Sequence, residues 1–352
     1  MSLLDFIQKI STNPLLAVMT LLTLGVMFFN GVTDSTNAIA TCIATRAITP
    51  KKAVLMSAVF NMLGVAVMTL VSAGVTETIS KLVNLDTGGA DASKNASLAL
   101  CGALCSIILW SAMAVRLGMP TSESHELVAG LVGSAVALRG TFAGSVNMSE
   151  LLKVLLGLVF SIVLGFVFGF VFAKVVALIF EKTDRRKTTG FFRGAQICGG
   201  AAMSFMHGAQ DGQKFIGVML LGICVSDGGS VADMKPALWM MLICSVIMAL
   251  GTASGGYKII KSVGMDMVKL EAYQGFSADM AGAVCLLLSS LLGLPVSTTH
   301  TKTTAIMGVG ATKRISAINF GVVKDMAMTW VLVFPCCALI GFGITKLLLF
   351  LL

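Results

Sequence analysis

Polar residues in this chain fall in short clusters between long apolar stretches. Residues 154–180 carry a single charge, Lys174, and residues 326–352 carry only Lys346. Each stretch exceeds the roughly 20 helical residues needed to cross a hydrocarbon core about 30 Å thick. The pattern predicts an all-α, polytopic membrane protein of about 10–12 transmembrane segments. The predicted spans are 14–47, 53–76, 97–117, 119–139 and 150–181, then 194–225, 236–256, 279–293, 294–312 and 322–352. Segments 119–139 and 279–312 are short and interrupted, so they read as broken helices or as hairpins that enter and leave on one side.

Composition narrows the class. The chain is 56% hydrophobic and 12% charged, against about 25% charged residues in soluble domains. So few charges cannot cover a water-soluble surface, which excludes an ordinary soluble enzyme, a nucleic-acid-binding protein and a disordered chain. The net charge of +8 fits basic residues gathered in cytoplasmic loops. The 9 cysteines form no CxxC pair; Cys101, Cys105, Cys244, Cys285, Cys336 and Cys337 sit within apolar runs and read as small buried hydrophobes. Residues 1–10 hold Asp5 and no basic n-region, unlike a cleaved signal.

Two motifs recur in order. Gly31-Val32-Thr33-Asp34 is echoed by Gly208-Ala209-Gln210-Asp211, and Gly118-Met119-Pro120 through His125 is echoed by Gly293-Leu294-Pro295 through His300. The offsets are 177 and 175 positions, and half of the 352 residues is 176. The chain therefore reads as two repeats, 14–181 and 194–352, joined by a basic linker, 182–193, that holds Lys182, Arg185, Arg186, Lys187 and Arg193 against Asp184. Loop charges set the orientation. Arg46, Lys51 and Lys52 follow the first long segment, where the second half has Asp227 and Asp233 in loop 226–233. Loop 76–95 is net acidic, whereas its counterpart, 257–279, carries Lys258, Lys261 and Lys269. This exchange fits inverted repeats, each with an odd number of crossings, with the linker cytoplasmic and both termini outside; Arg139 is an exception to the charge rule.

Charged and polar groups inside these segments carry the chemistry. Asp34, Asn37, Asp211, Lys214, Glu123, Glu126, His125 and His300 all lie in apolar surroundings. A charge at a helix centre costs about 2.5–3.5 kcal/mol on insertion scales, so such residues face a cavity and have partners. Asn30-Gly31 and His207-Gly208 either unwind to expose backbone to a ligand or allow close helix packing. Pro120 and Pro295 open Ser/Thr-rich turns before new apolar half-helices. There Thr121, Ser122, Ser124, Ser297, Thr298 and Thr299 can donate to an oxyanion at a helix start, or cap the helices. His125 and His300 either move a proton or hold structure by hydrogen bonds. Lys214, one turn after Asp211, pairs with it, attracts an anion or substitutes for a cation.

The segments GVTDSTNAIATCIATRAITPKKAVLMSA (31–58), HGAQDGQKFIGVML (207–220) and GLPVSTTH (293–300) resemble the inorganic phosphate transporter (PiT) family, in its bacterial low-affinity branch. The resemblance spans nearly the whole chain. It implies an inverted-repeat secondary transporter in the plasma membrane that moves inorganic phosphate with a coupling cation, H⁺ or Na⁺. Part of the cargo in that branch is a neutral divalent-metal phosphate complex. Where the family has G-x-N-D, this chain has Thr33 and Gln210 before its aspartates. Glu123, beside the proposed anion site, would repel phosphate unless turned away, protonated or carrying a proton.

The reading is a phosphate:cation symporter working by alternating access, not an enzyme, with no cofactor and with phosphate, a cation and lipid as its partners. A homodimer is compatible with it. Thr121, Ser122, Ser124, Ser297, Thr298, Thr299 and Lys214 would bind substrate. Asp34, Asn37, Thr33, Asp211, Gln210 and Gln213 would carry the cation or proton, with His125, His300 and Glu123 in support. The alternatives are a sulfate or other oxyanion permease of the same fold, an anion channel, and a membrane-embedded Ser/His hydrolase built on Ser122-x-x-His125. Two symmetric copies of that pair argue against the hydrolase.

Overall fold

Asn13 starts the first long helix: its side chain accepts the Leu16 N–H at 3.1 Å, and Pro14 fills the first helical position, where an N–H is not needed. The computed structural model describes residues 1–85, 91–227, 236–254 and 256–352. Within them the chain forms α1 (Leu3–Thr12), α2 (Pro14–Ala44), α3 (Pro50–Val71), α4 (Gly74–Ser80), α5 (Ala92–Leu117), α6 (Glu123–Arg139) and α7 (Phe142–Ser145). There follow α8 (Met148–Ile179), α9 (Arg185–Asp227), α10 (Leu238–Ser254), α11 (Tyr257–Lys261), α12 (Ala272–Leu291), α13 (Thr298–Ala311) and α14 (Phe320–Leu351). Among the described residues the backbone forms no strand beyond one isolated bridge, Val83 to Val146.

Among the described residues, six helices are long and apolar enough to cross a membrane: α2, α3, α5, α8, α12 and α14. A seventh is counted if α10 and its bent continuation, Lys258–Asp266, form one span. At 17 and 14 residues, α6 and α13 would reach only about 25 and 21 Å, too short to cross a membrane alone. Helix α9, 43 residues long, already begins inside the basic linker. Of the loop charges used for orientation, Asp86 and Asp233 lie outside the described residues, as do the side chains of Arg185, Arg186 and Lys187.

The termini share one end of the molecule. Lys94 donates to the Leu352 carbonyl at 2.6 Å, Trp239 to that of Met1 at 3.2 Å, and Ser93 to that of Val225 at 2.6 Å. The linker lies at the other end, where Arg193 donates to the Ala47 carbonyl at 3.0 Å and Phe192 meets Tyr273 edge-on at 5.9 Å.

Packing is exchanged between the halves: α2 lies on α10, α3 on α9, α6 on α14 and α13 on α8. Small residues make these contacts close. Gly157, Ser161, Gly165, Gly169 and Ala173 form the buried stripe of α8, every fourth residue, while Val159, Val163, Val167 and Val171 face outward. Gly31 and Gly251 meet where α2 crosses α10; Gly64 and Gly208 lie where α3 crosses α9. Helices α2 and α9 run unbroken through Asn30-Gly31 and His207-Gly208. Of the two readings of these glycines, close packing is the one observed. The backbone does not unwind there.

A Cβ at Gly208 would collide with the Asn61 carbonyl, and one at Gly251 with the Phe28 carbonyl, whereas one at Gly343 meets nothing within 4 Å. Gly208→Ala and Gly251→Ala should therefore each destabilise by about 1–3 kcal/mol from overpacking, while Gly343→Ala is neutral or mildly stabilising. Thermal unfolding of the detergent-purified variants measures the difference; equal midpoints for all three would refute the close-crossing account.

Candidate functional site at two opposed hairpins

Each hairpin turns by the same device. After α5, Gly118 adopts φ +70°; after α12, Gly293 adopts φ +66°. This left-handed conformation suits glycine, and the proline two residues on blocks helix continuation. The returning helices, α6 and α13, thus begin inside the protein. Their N-cap residues meet there: Ser122 Oγ donates to Ser297 Oγ at 2.8 Å, and both residues are buried. Ser297 also caps α13 by accepting the His300 N–H at 3.1 Å, whereas Ser122 makes no side-chain cap bond. Two helix N-termini, each with unpaired N–H groups and a positive dipole end, converge on one point.

Carboxylates from α2 and α9 flank that point. Thr299 Oγ1 donates to Asp34 Oδ1 at 2.8 Å and accepts from Asn37 Nδ2 at 3.0 Å. Asp211 Oδ2 accepts from Asn30 Nδ2 at 3.0 Å and Thr298 Oγ1 at 3.2 Å, and lies 3.1 Å from His207 Nε2. Lys214 Nζ donates at 2.6 Å to each of Asp211 Oδ1, Ser124 Oγ and the Val296 carbonyl. Ser122, Ser124, Ser297, Thr298, Thr299, Asp34, Asn37, Asp211 and Lys214 therefore form one buried polar centre.

Other predicted residues are engaged elsewhere. Thr121 Oγ1 donates to Glu126 at 2.7 Å and accepts from Trp110 Nε1 at 3.0 Å; Ser111 holds the second Glu126 oxygen at 2.5 Å. Thr33 bonds back to the Phe29 carbonyl at 2.9 Å. Gln210 braces the second hairpin through Ser290 Oγ at 2.9 Å. The amide of Gln213 is buried with no hydrogen-bond partner among the described residues, and the buried carboxylate of Glu123 lies against Asn30. His125 and His300 pack into an aromatic cluster: their rings meet at 4.5 Å, His300 lies 3.8 Å from Trp330 and His125 4.6 Å from Phe334. The ring nitrogens of His300 make no hydrogen bond among the described residues, and both rings are held against α14, His300 by stacking and His125 by stacking and by the Trp330 backbone.

Sequence reasoning misses two features. Asn30 ties α2 to Asp211, whereas its place beside Gly31 suggests only backbone freedom. A second buried charge pair, Asp279 with Lys302, joins α12 to α13 and is completed by Thr41 at 2.8 Å and Gln196 at 2.5 Å from the carboxylate. Both charges lie within predicted spans, a signal present in the sequence itself.

Fold and site define a polytopic helical membrane protein with a polar centre enclosed among its helices. A family model described as the phosphate transporter family matches residues 30–341. Among curated proteins, the chain is 35% identical over 314 residues to a probable low-affinity inorganic phosphate transporter of Bacillus subtilis, covering 89% of this chain and 91% of that one. It is 34% identical to a protein of the same description from Rhizobium meliloti, covering 93% and 95%. Among solved structures, one described as a sodium-dependent phosphate transporter matches with a TM-score of 0.86 at 25% identity, covering 97% of this chain and all of that one. The chain belongs to the phosphate transporter family, whose members are transporters and not enzymes.

Removing one partner of a buried ion pair strands the other charge. Asp279→Asn should cost about 3–5 kcal/mol. Replacing both partners by apolar residues, Asp279→Leu with Lys302→Met, should recover most of that loss. Midpoints of thermal unfolding in detergent decide it: a double variant no more stable than the single one would refute the stranded-charge account.

Proposed function

We propose that the protein is a secondary active transporter that moves inorganic phosphate together with a cation by alternating access. The carrying observation is the meeting of two hairpin N-termini at Ser122 and Ser297, flanked by Asp34 and Asp211 in the same buried centre. Hydroxyls and helix N-termini suit a tetrahedral oxyanion without a dense arginine cluster, which would hold it too tightly for release. Carboxylates beside that site suit a cation. With both in one cavity, each ligand improves binding of the other, which is the thermodynamic basis of symport. Sodium is favoured as the cation by the sodium dependence of the structural relative and by the hard oxygen donors around Asp34; a proton is the alternative.

The exchanged packing of the halves supports reading them as inverted repeats, 14–181 and 194–352, that rock about the shared site. The end holding Arg46, Lys51, Lys52 and the linker would face the cytoplasm, and the termini would face outside the plasma membrane.

The test is radiolabelled phosphate uptake into proteoliposomes, with Na⁺ and pH gradients imposed separately and sulfate as competitor. Uptake against a phosphate gradient is expected with at least one of them. Flux that only dissipates gradients would make the protein a channel, and preference for sulfate would change the substrate. Ser122→Ala and Ser297→Ala should each weaken phosphate binding about 10- to 150-fold, the equivalent of one hydrogen bond to a charged group at roughly 1.5–3 kcal/mol. Unchanged affinity in both would leave these serines as helix caps only.

For topology, single cysteines at Lys94 and Arg186 in a cysteine-free background are labelled with an impermeant maleimide on intact cells. Labelling is expected at position 94 and not at 186. The reverse pattern overturns the orientation, and labelling at both overturns the odd number of crossings between them.

A further inference from the structure

The two halves place different residues at equivalent positions around their aspartates. At an offset of 177, Asn30 corresponds to His207, Asp34 to Asp211 and Asn37 to Lys214; at an offset of 175, Ser124 corresponds to Thr299. The hydrogen bonds follow this correspondence. Asn37 Nδ2 donates to the Thr299 hydroxyl at 3.0 Å, and Lys214 Nζ donates to the Ser124 hydroxyl at 2.6 Å. One half thus has a neutral amide where the other has an ammonium.

Lys214 Nζ contacts a carboxylate oxygen, a hydroxyl oxygen and a backbone carbonyl, each at 2.6 Å. This all-oxygen donor set with one negative charge is what a bound monovalent cation requires. On the Asp34 side no ammonium takes up the acceptors. Asn37, tied to Asp34 through the Thr299 hydroxyl, keeps its Oδ1 buried with no hydrogen bond among the described residues. An unbonded buried acceptor is costly, and a cation beside Asp34 would satisfy it.

We propose that Lys214 is a cation built into the second half of the site, so that the transporter couples phosphate to one mobile cation, taken on the Asp34 side, instead of two. This rests on the symport reading above. The Lys214 ammonium neutralises Asp211 throughout the cycle and holds Ser124 beside the hairpin N-termini. It cannot leave with the cargo, so it adds charge balance to the anion site without adding driving force. Lys214→Asn, which copies the residue found in the other half, removes the tethered ammonium and leaves Asp211 Oδ1 open to a second mobile cation.

The experiment measures coupling stoichiometry in proteoliposomes clamped at zero membrane potential, by finding the phosphate gradient that stops net flux against a fixed cation gradient. For the unaltered protein, a tenfold gradient of the driving cation should balance about a tenfold gradient of phosphate, and for Lys214→Asn about a hundredfold one. Na⁺ and H⁺ gradients are run separately and together, so that either ion is counted. A hundredfold balance in the unaltered protein overturns the proposal without recourse to any variant. So does a folded, transporting Lys214→Asn protein that keeps the tenfold balance. If Lys214→Asn transports nothing, Na⁺ titration of its thermal unfolding in detergent supplies the second reading. Stabilisation by Na⁺ greater than that of the unaltered protein is expected, and none overturns the proposal. If no cation gradient drives uptake by the unaltered protein, the symport reading itself fails, which a two-cation result would leave intact.

Discussion

Two helix N-termini pointed at each other inside a membrane protein are electrostatically unfavourable unless negative charge lies between or beside them. The opposed starts of α6 and α13 impose that constraint, and much of the surrounding structure answers it. Asp34 and Asp211 come from the two longest early helices of their halves. Hydroxyls of Ser122, Ser297, Thr298 and Thr299 bridge the gap, and Lys214 limits the excess of negative charge. A centre of this kind is balanced when an anion and a cation are present together and less so with either alone. The economy of charge in the centre is the feature that the proposed coupling of phosphate to a cation would use.

Close helix crossings hold the centre in place. Aspartates on α2 and α9 can face the hairpins only because glycines let these helices approach α10 and α3 to backbone contact. The aromatic cluster of His125, His300, Trp330 and Phe334 anchors both half-helices to α14 by stacking. Asp279 and Lys302 lock α12 to α13 further along the same hairpin. Polar groups thus serve two ends here, a site at the hairpin tips and a brace along the hairpin's length.

Much of this was legible in the sequence, for identifiable reasons. Long apolar runs gave the helices, because spanning a bilayer demands them. Pro120 and Pro295 marked the turns into the two half-helices, because proline cannot continue a helix, whereas segment 119–139, read as interrupted, holds the single unbroken helix α6. Asp34, Asp211, Lys214 and the serines stood out because charge and hydroxyls are expensive in lipid. The role of a glycine was less legible: the same residue serves unwinding and close packing, and only the Met248 and Asn61 carbonyls against Gly31 and Gly208 decide between them. The engagement of Thr121 by Glu126 and Trp110, and of Gln210 by Ser290, depends on contacts between separate helices that no local pattern encodes.

The exchange of packing partners between the halves also bears on how the chain is made. Helix α2 emerges early in synthesis, yet Thr299, which satisfies Asp34, and the α10 surface that receives Gly31 are encoded more than 200 residues later. Until they arrive, a carboxyl and two asparagine amides wait in the bilayer or its insertion machinery without their final neighbours. Assembly of the first half is thus held open for the second, and a ribosome stalled after residue 181 would leave a half-protein with an exposed polar face. Quality control in the membrane has in that face a ready mark of an unfinished chain.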